Sequence, residues 1–226
     1  MKRTALLAAL VAAACGPSEP PSPQAAGRAY FSQAGCISCH KIGEDGSAVG
    51  PDLTLAGFRH DAAWLDLFIK DPQAWKKDTL MPNKRISDEA RKAIVDYLAA
   101  QKGEAWGAAK PWSAVAEPAA KGRVIYARAG CVGCHGVGGA GGYPNNNVPG
   151  GLIPKLNVVH ETYTKAELIA KIKKGVKPLK KDSKGPEPMI FMPPWGEKLD
   201  DAELDAVAAY LMTLRPGAGE QSDSSF

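Results

Sequence analysis

Two five-residue segments of this 226-residue chain place two cysteines, three positions apart, directly before a histidine. The segments are Cys36-Ile37-Ser38-Cys39-His40 and Cys131-Val132-Gly133-Cys134-His135. Thiols at this spacing can add across the two vinyl groups of a haem, and the adjacent histidine can coordinate the iron from the proximal side. The sequence therefore predicts two covalently bound c-type haems. The predicted residues are Cys36, Cys39 and His40 for the first haem and Cys131, Cys134 and His135 for the second.

The four thiols could instead form one tetrahedral zinc site or two disulfides. Neither site requires a histidine after both cysteine pairs, and the pairs lie too far apart in sequence for a single zinc ribbon. A redox-active dithiol does not require the histidine either. Haem attachment is therefore the interpretation that uses every residue of both motifs.

The fifth cysteine, Cys15, follows a segment typical of export. Basic residues at positions 2 and 3 precede an apolar run and then three alanines at 12–14. The apolar run is too short to span a bilayer. Residues 1–14 resemble a bacterial lipoprotein signal, whose removal would leave lipid on Cys15; plain secretory cleavage nearby is the alternative. Both predict an exported protein, and in bacteria covalent haem attachment also occurs outside the cytoplasmic membrane.

Residues 15–24 are rich in proline and poor in apolar side chains. Such a segment favours neither helix nor sheet, so we predict a stiff tether between the anchor and the first domain. The protein would then be a membrane-anchored lipoprotein that faces the periplasm or the cell surface.

The chain contains an internal repeat. A shift of 95 residues aligns Gly27 to Cys36 with Gly122 to Cys131. We predict a first domain over residues 25–101, a linker over 102–117, a second domain over 118–215 and a flexible tail over 216–226. The second copy is longer, with one insertion after its haem motif and another near Met192.

The segments between the motifs have helical periodicity and helical caps. Ser87 can cap a helix that ends near Leu98, and Asp200 with Glu203 forms a capping-box pattern. Middle helices are predicted at 62–69 and 165–173, and no strand is predicted. The linker carries Trp106 and Trp112, which are costly to leave in water, so we expect it to pack on one or both domains.

Taken together, each copy resembles a class I cytochrome c domain. The resemblance implies an all-α fold, with two tandem helical domains and irregular loops that enclose the haems. In that family a glycine and an aromatic residue on the first helix meet an aromatic residue on the last. The corresponding residues are Gly27, Phe31 and Tyr97 in the first copy and Gly122, Tyr126 and Tyr210 in the second. The family's Gly-Pro-x-Leu segment, which orients the proximal histidine, is complete at residues 50–53 and partial at 153–156.

The resemblance also implies a distal methionine before the last helix of each copy. Met81 is the candidate in the first copy, because it is the one methionine between the motif and the last helix. Met192 is the candidate in the second copy, with Met189 as the alternative. His60, expected at the surface or as a cap, and His160, expected to be structural, would ligate only if a methionine did not.

Histidine and methionine ligation leaves the iron without a free coordination site, which indicates outer-sphere electron transfer rather than catalysis. We therefore predict a dihaem carrier of single electrons in a respiratory chain. The alternative is a dihaem enzyme of the thiosulfate-oxidising or peroxide-reducing type, with an open or exchangeable site at the second haem. A third hypothesis is a docked subunit of a larger oxidase or quinol-oxidising complex.

Charge differs between the copies. Residues 25–101 contain ten basic and ten acidic side chains, whereas residues 118–215 contain 14 and 9. Eight lysines lie between positions 165 and 184. They could form a solvated face, or they could attract an acidic redox partner or a phospholipid surface towards the second haem. We expect no nucleic-acid partner for an exported haem protein.

Overall fold

The structure is a computed structural model that describes residues 21–107 and 109–217. The predicted signal, Cys15 and most of the predicted tail lie outside these residues. In the described part, no helix combines the length and the apolar character needed to cross a membrane. The helices are α1 (Pro23–Gln33), α2 (Ala56–Arg59), α3 (Ala62–Lys70), α4 (Pro72–Trp75), α5 (Asp88–Ala99), α6 (Pro118–Arg128), α7 (Val132–His135), α8 (Val159–Thr162), α9 (Lys165–Lys174) and α10 (Asp201–Thr213). The predicted all-α architecture with two tandem repeats is confirmed.

Two predictions of local structure need correction. Helix α1 begins at Pro23, so the last two residues of the predicted tether are helical. Proline is tolerated there because the first turn of a helix does not use its backbone N–H, and the Ser22 side chain caps the helix. The prediction of no strand is also wrong. Strands β1 (Lys41–Ile42) and β2 (Asp45–Gly46) form a hairpin too short to leave a periodic pattern.

The capping predictions are confirmed. The Ser87 side chain accepts a hydrogen bond from the backbone N–H of Ala90, and Asp200 with Glu203 forms a reciprocal capping box. Helices α3 and α9 each extend one residue beyond the predicted middle helices. These features depend on neighbouring residues, which is why the sequence alone could predict them.

Both repeats are built on the predicted crossing of a first and a last helix. Gly27 of α1 faces the Ala93 carbonyl of α5 so closely that a β-carbon there would overlap it. Gly122 of α6 faces the Ala206 carbonyl of α10 in the same way. Beside these crossings, the Phe31 and Tyr97 ring centroids lie 5.8 Å apart, and those of Tyr126 and Tyr210 lie 5.4 Å apart. Each crossing positions the start of the Cys-x-x-Cys-His segment that follows its first helix.

The hydrophobic cores of the two repeats are not separate. Leu55 and Phe58 of the first repeat pack into the core of the second, and the Phe58 ring meets Trp195 edge-on at 5.3 Å. In the other direction, Tyr143, Ile153 and Ile190 of the second repeat join the core of the first. The two repeats therefore depend on each other for burial of apolar surface.

The linker packs as expected. Trp112 is only 1% exposed, and its indole N–H donates a 2.6 Å hydrogen bond to Glu203 on α10. The Lys110 ammonium bonds the other carboxylate oxygen of Glu203 at 2.6 Å. Trp106 meets Trp112 edge-on at 4.9 Å between ring centroids. The linker is thus part of the core of the second repeat.

Candidate functional site

The first motif follows α1 through Gly35, whose φ of 73° lies in the left-handed region. A short 3₁₀ turn over Cys36–Ser38 then leads to His40, whose backbone N–H donates to the Cys36 carbonyl. The compact turn keeps the two cysteines and the histidine together, as attachment to one haem requires.

A carbonyl and a glycine fix the His40 ring. Its Nδ1 lies 2.8 Å from the Pro51 carbonyl oxygen, which can only accept, so Nδ1 carries the proton and Nε2 is left for a metal. Gly50 lies against the ring, where a β-carbon would come within 2.7 Å of Cε1. Burial lowers the pKa of His40, which favours the neutral ring that a metal ligand needs.

The second motif has the same arrangement despite its incomplete Gly-Pro-x-Leu match. Helix α7 carries the motif, and Nδ1 of His135 lies 3.2 Å from the Pro154 carbonyl oxygen. Burial lowers the pKa of His135 as well. The Tyr126 hydroxyl donates a 2.7 Å hydrogen bond to the Gly136 carbonyl and so holds the end of the motif against α6. Pro154 therefore occupies the same position beside His135 as Pro51 does beside His40.

A cavity of about 350 Å³ opens beside the second motif. Cys131, Cys134 and His135 line it, and Met192 lines it from the segment before α10. Most of the other lining side chains are apolar: Val148, Leu152, Ile153, Leu156, Val159, Leu168, Ile172, Phe191, Trp195, Val207 and Leu211. An apolar cavity with one histidine and one thioether suits a haem.

The structure separates the two methionines that compete in the second repeat. Met192 lines the cavity, and two backbone hydrogen bonds with Val176, of 2.8 and 3.0 Å, fix its position. Met189 instead packs against the core of the first repeat and does not line this cavity. This placement favours Met192 as the distal ligand.

Three consecutive asparagines hold the segment that carries these methionines. The Asn145 side chain bonds the backbone of Ile190, and the Asn146 side chain bonds the backbone of Met189. The Asn147 amide donates to the Asp182 and Pro186 carbonyls, at 2.9 and 2.7 Å. The two insertions of the second repeat therefore pack on each other. In the sequence, the run of three asparagines was the signal that could have indicated this packing. Its position in a glycine-rich stretch indicates only an irregular loop.

In the first repeat, Met81 lies half-buried between α4 and α5. Its backbone N–H donates to the Thr79 hydroxyl at 3.2 Å. Leu80 beside it is 97% exposed. The role of Met81 as the distal ligand of the first haem stays a prediction.

The two remaining histidines do not line the cavity beside Met192. His60 is a capping residue, as predicted, but at the end of α2, where its backbone N–H donates to the Ala56 carbonyl; Asp61 caps the start of α3. The half-buried His60 ring stacks on Trp64 with the ring centroids 3.7 Å apart. Burial lowers the pKa of His60 well below its ordinary value. The Nδ1 of His160 is also buried.

All four described cysteines are free thiols. In residues 21–107 and 109–217, which include both motifs, no three His, Cys, Asp or Glu side chains converge to hold a metal ion.

A buried polar group at the cavity provides a further test of fit. Arg59 lines the cavity, and its Nε is buried without a hydrogen-bond partner among the described residues. A haem carries two propionate carboxylates, and an unpaired guanidinium N–H could donate a hydrogen bond to such a carboxylate. Together with the apolar walls, this shows that the residues present suit a haem.

Comparison with known proteins gives a consistent result. The family model described as cytochrome c matches residues 24–102 and 119–215. A cytochrome c oxidase subunit 2 of Alkalihalophilus pseudofirmus is 35% identical over 85 residues. That match covers 34% of this chain and 25% of the relative, so the chain matches about a quarter of the relative's length. No solved structure matches.

Proposed function

The chain belongs to the cytochrome c family, and on that basis we propose that it is an exported dihaem carrier of single electrons. The family implies covalently bound c-type haem and electron transfer. We propose two haems, one in each repeat: His40 and Met81 would hold the iron of the first, and His135 and Met192 that of the second. Electrons would pass between redox partners of a respiratory chain.

One observation carries this proposal: the second motif and Met192 line the same apolar cavity. Iron held between a histidine and a thioether exchanges one electron with little rearrangement and offers no free coordination site. The protein's part is to keep that arrangement rigid. The Pro154 carbonyl orients the His135 ring, the pairing with Val176 holds Met192, and the apolar walls limit the access of water.

Spectroscopy of the full-length protein distinguishes a carrier from an enzyme. Methionine-ligated ferric haem has a weak charge-transfer band at the red end of the spectrum. We expect a charge-transfer band whose intensity corresponds to two methionine-ligated haems per chain. We also expect the reduced protein not to bind carbon monoxide. An intensity corresponding to one ligand, together with carbon monoxide binding, would contradict the carrier and favour the dihaem enzyme with an open second site.

We further propose that an acidic redox partner docks at the mouth of this cavity. Leu152 and Phe191 are 52% and 38% exposed there, and the exposed Lys155 and Lys171 also line the cavity. The lysines between positions 165 and 184 are not all equivalent, because three of them pair with carboxylates. These pairs are Lys165 with Asp205, Lys173 with Asp201 and Lys180 with Glu187. In the described part of the chain, Lys174, Lys177, Lys181 and Lys184 lack such a partner and add to the positive field.

Charge reversal at the mouth tests this docking surface with a small anionic oxidant. We expect Lys155→Glu with Lys171→Glu to slow oxidation of the reduced protein by hexacyanoferrate(III) by about tenfold at low salt. The difference should shrink as added salt screens the charges. The exposed Lys77 of the first repeat lies outside this cavity, so Lys77→Glu is a control for the change of charge. The double variant reverses two charges and the control reverses one, so the rates are compared per reversed charge. If each reversed charge slows oxidation by the same factor in both variants, the result would contradict a docking site at the cavity mouth.

The remaining parts of the proposal concern location and partner. A lipid on Cys15 would anchor the protein to a membrane facing the periplasm or the cell surface. The match to a cytochrome c oxidase subunit 2 supports a terminal oxidase as the class of electron acceptor. The chain would serve such an oxidase as a mobile donor or as a docked subunit.

A further inference from the structure

The loop that orients His40 in the first repeat packs on the Cys-x-x-Cys-His segment of the second. Gly133 lies between the two cysteines of that segment, directly before Cys134. A β-carbon on Gly133 would lie 3.7 Å from Cβ and Cγ of Pro51, at ordinary van der Waals distance. The gap between Gly133 and the Pro51 ring is therefore no wider than a methyl group. Pro51 is also the residue whose carbonyl accepts the 2.8 Å hydrogen bond from Nδ1 of His40.

Arg128 of the second repeat holds the next residue of the same loop. It is the last residue of α6, just before the second motif. Its Nε donates to the Asp52 carboxylate at 2.7 Å. Its Nη2 donates to the Gly43 carbonyl and to the Glu44 carboxylate, both at 2.8 Å. One side chain thus joins the helix before the second motif to the proximal loop and the β-hairpin of the first repeat.

The groups that Arg128 bonds in the first repeat are themselves held together. The Asp52 carboxylate also accepts from the amide and the hydroxyl of Thr54, and the Thr54 hydroxyl accepts from the Gly43 N–H at 2.8 Å. The side chain of Asp52 is 5% exposed and that of Arg128 is 19% exposed, so water and salt screen their ion pair only weakly. These four residues form a closed network that resists movement of the proximal loop away from the second motif.

We propose that electrons cross between the two haems at the contact of Pro51 with Gly133, and that Arg128 is the positioning residue that holds this contact closed. The inference rests on the proposed function, because it needs a haem in each repeat. On one side of the contact His40 would bind the first iron, and on the other side Cys134 would carry the second haem through a thioether bond.

The width of this gap would set the rate of transfer, because electronic coupling weakens steeply with distance. Each transfer would oxidise one iron and reduce the other by one electron, and no bond or proton would change place. The part of the protein is to keep the two segments at a fixed separation.

A wedge at Gly133 tests the route in the half-reduced full-length protein with both haems bound. The methyl signals of the ligating methionines in proton NMR report the oxidation state of each haem, and a transfer rate that is independent of protein concentration is intramolecular. Gly133 lies within helix α7, where the backbone tolerates a side chain. We expect Gly133→Leu, which is too large for the gap, to slow transfer by about tenfold. Gly133→Ala is the matched variant and should keep the wild-type rate, because its methyl group meets Pro51 at ordinary distance after a small shift of the Arg59 side chain.

Substitution of Arg128 tests the positioning role. We expect Arg128→Gln to slow transfer by about tenfold and to speed hydrogen exchange of the Gly43 amide, whose hydrogen bond belongs to the network. This variant leaves the buried Asp52 carboxylate without its charge partner. Arg128→Met combined with Asp52→Asn removes both charges and keeps an oxygen for Thr54, and it carries the test if the single variant does not fold.

A neighbouring arginine provides the control for these variants. Arg28 bonds Asp45 of the same β-hairpin at 2.8 Å and is exposed, and its ion pair lies wholly within the first repeat. We expect Arg28→Gln to leave both the transfer rate and the exchange of the Gly43 amide unchanged. Potentiometric titration of every variant separates a change of contact from a change of driving force.

An unchanged rate in Gly133→Leu with two haems bound would overturn the route, and the role of Arg128 with it. A slower rate in that variant, with wild-type transfer in both Arg128 variants, would overturn the role of Arg128 alone. Slowing in Arg28→Gln as large as in Arg128→Gln, or slowing that the reduction potentials explain fully, would also overturn that role. Fewer than two haems on the wild-type chain would instead overturn the proposed function.

Discussion

Replacing Cys131 and Cys134 together with serine is expected to leave a single haem on the full-length chain. Serine cannot form the thioether bonds, so the second site loses its covalent link to the cofactor. The mass of the intact chain and its pyridine haemochrome absorbance both count the haems. The matched Cys36→Ser and Cys39→Ser pair should also leave one haem, and replacement of all four cysteines should leave none.

The serine pair in the second motif is also expected to destabilise the protein severely. Without the haem, the apolar side chains that line this cavity lose contacts that bury them, and each large apolar side chain left exposed costs about 1.5–3 kcal/mol. A few such losses are comparable to the whole stability of a typical domain, about 5–15 kcal/mol. Because Tyr143, Ile153 and Ile190 also belong to the core of the first repeat, we expect the loss to spread there.

Thermal unfolding followed by far-ultraviolet circular dichroism measures this loss. We expect one early transition that includes helices of both repeats. A first repeat that unfolds at the wild-type temperature would contradict the shared core. Retention of two haems in the same variant would contradict attachment at Cys131 and Cys134.

Replacing Met192 with alanine is expected to remove half of the charge-transfer absorbance of the ferric protein. The thioether of the second haem would be lost, its reduction potential would fall, and the reduced protein would bind one carbon monoxide per chain. Met189→Ala is the matched control, because it deletes the same side chain three positions away. Met189 packs on the core of the first repeat, so we expect this variant to keep the full band.

The opposite result in these two variants would change the assignment of the second distal ligand. Loss of half the band in Met189→Ala, with an intact band in Met192→Ala, would assign the ligand to Met189 and contradict the placement of Met192 in the cavity. An intact band in both variants would exclude either methionine as the second distal ligand.

Features that depend on neighbouring residues could be predicted from the sequence. The caps at Ser87 and Asp200 act within one helical turn. The haem motifs are contiguous, and the glycines at the helix crossings were identified through the internal repeat and the family pattern. The hairpin after His40 and the start of α1 differ from expectation even at this local level.

Features that depend on distant residues could not be predicted in this way. The contact between Arg59 and Gly130 joins positions 71 residues apart, and the contacts of Asn145 with Ile190 join positions 45 apart. An arginine after a short helix, or an asparagine in a glycine-rich loop, leaves no pattern that names its partner. The packing of each repeat into the core of the other could not be predicted for the same reason. In the sequence, Leu55 and Ile153 look like ordinary apolar residues of their own repeats.

The haem content of the purified full-length protein tests the central claim most directly. Intact mass and pyridine haemochrome absorbance should together show two haems per chain, each bound through two thioether bonds. One haem per chain, or none with zinc or disulfides at the four cysteines, would contradict it.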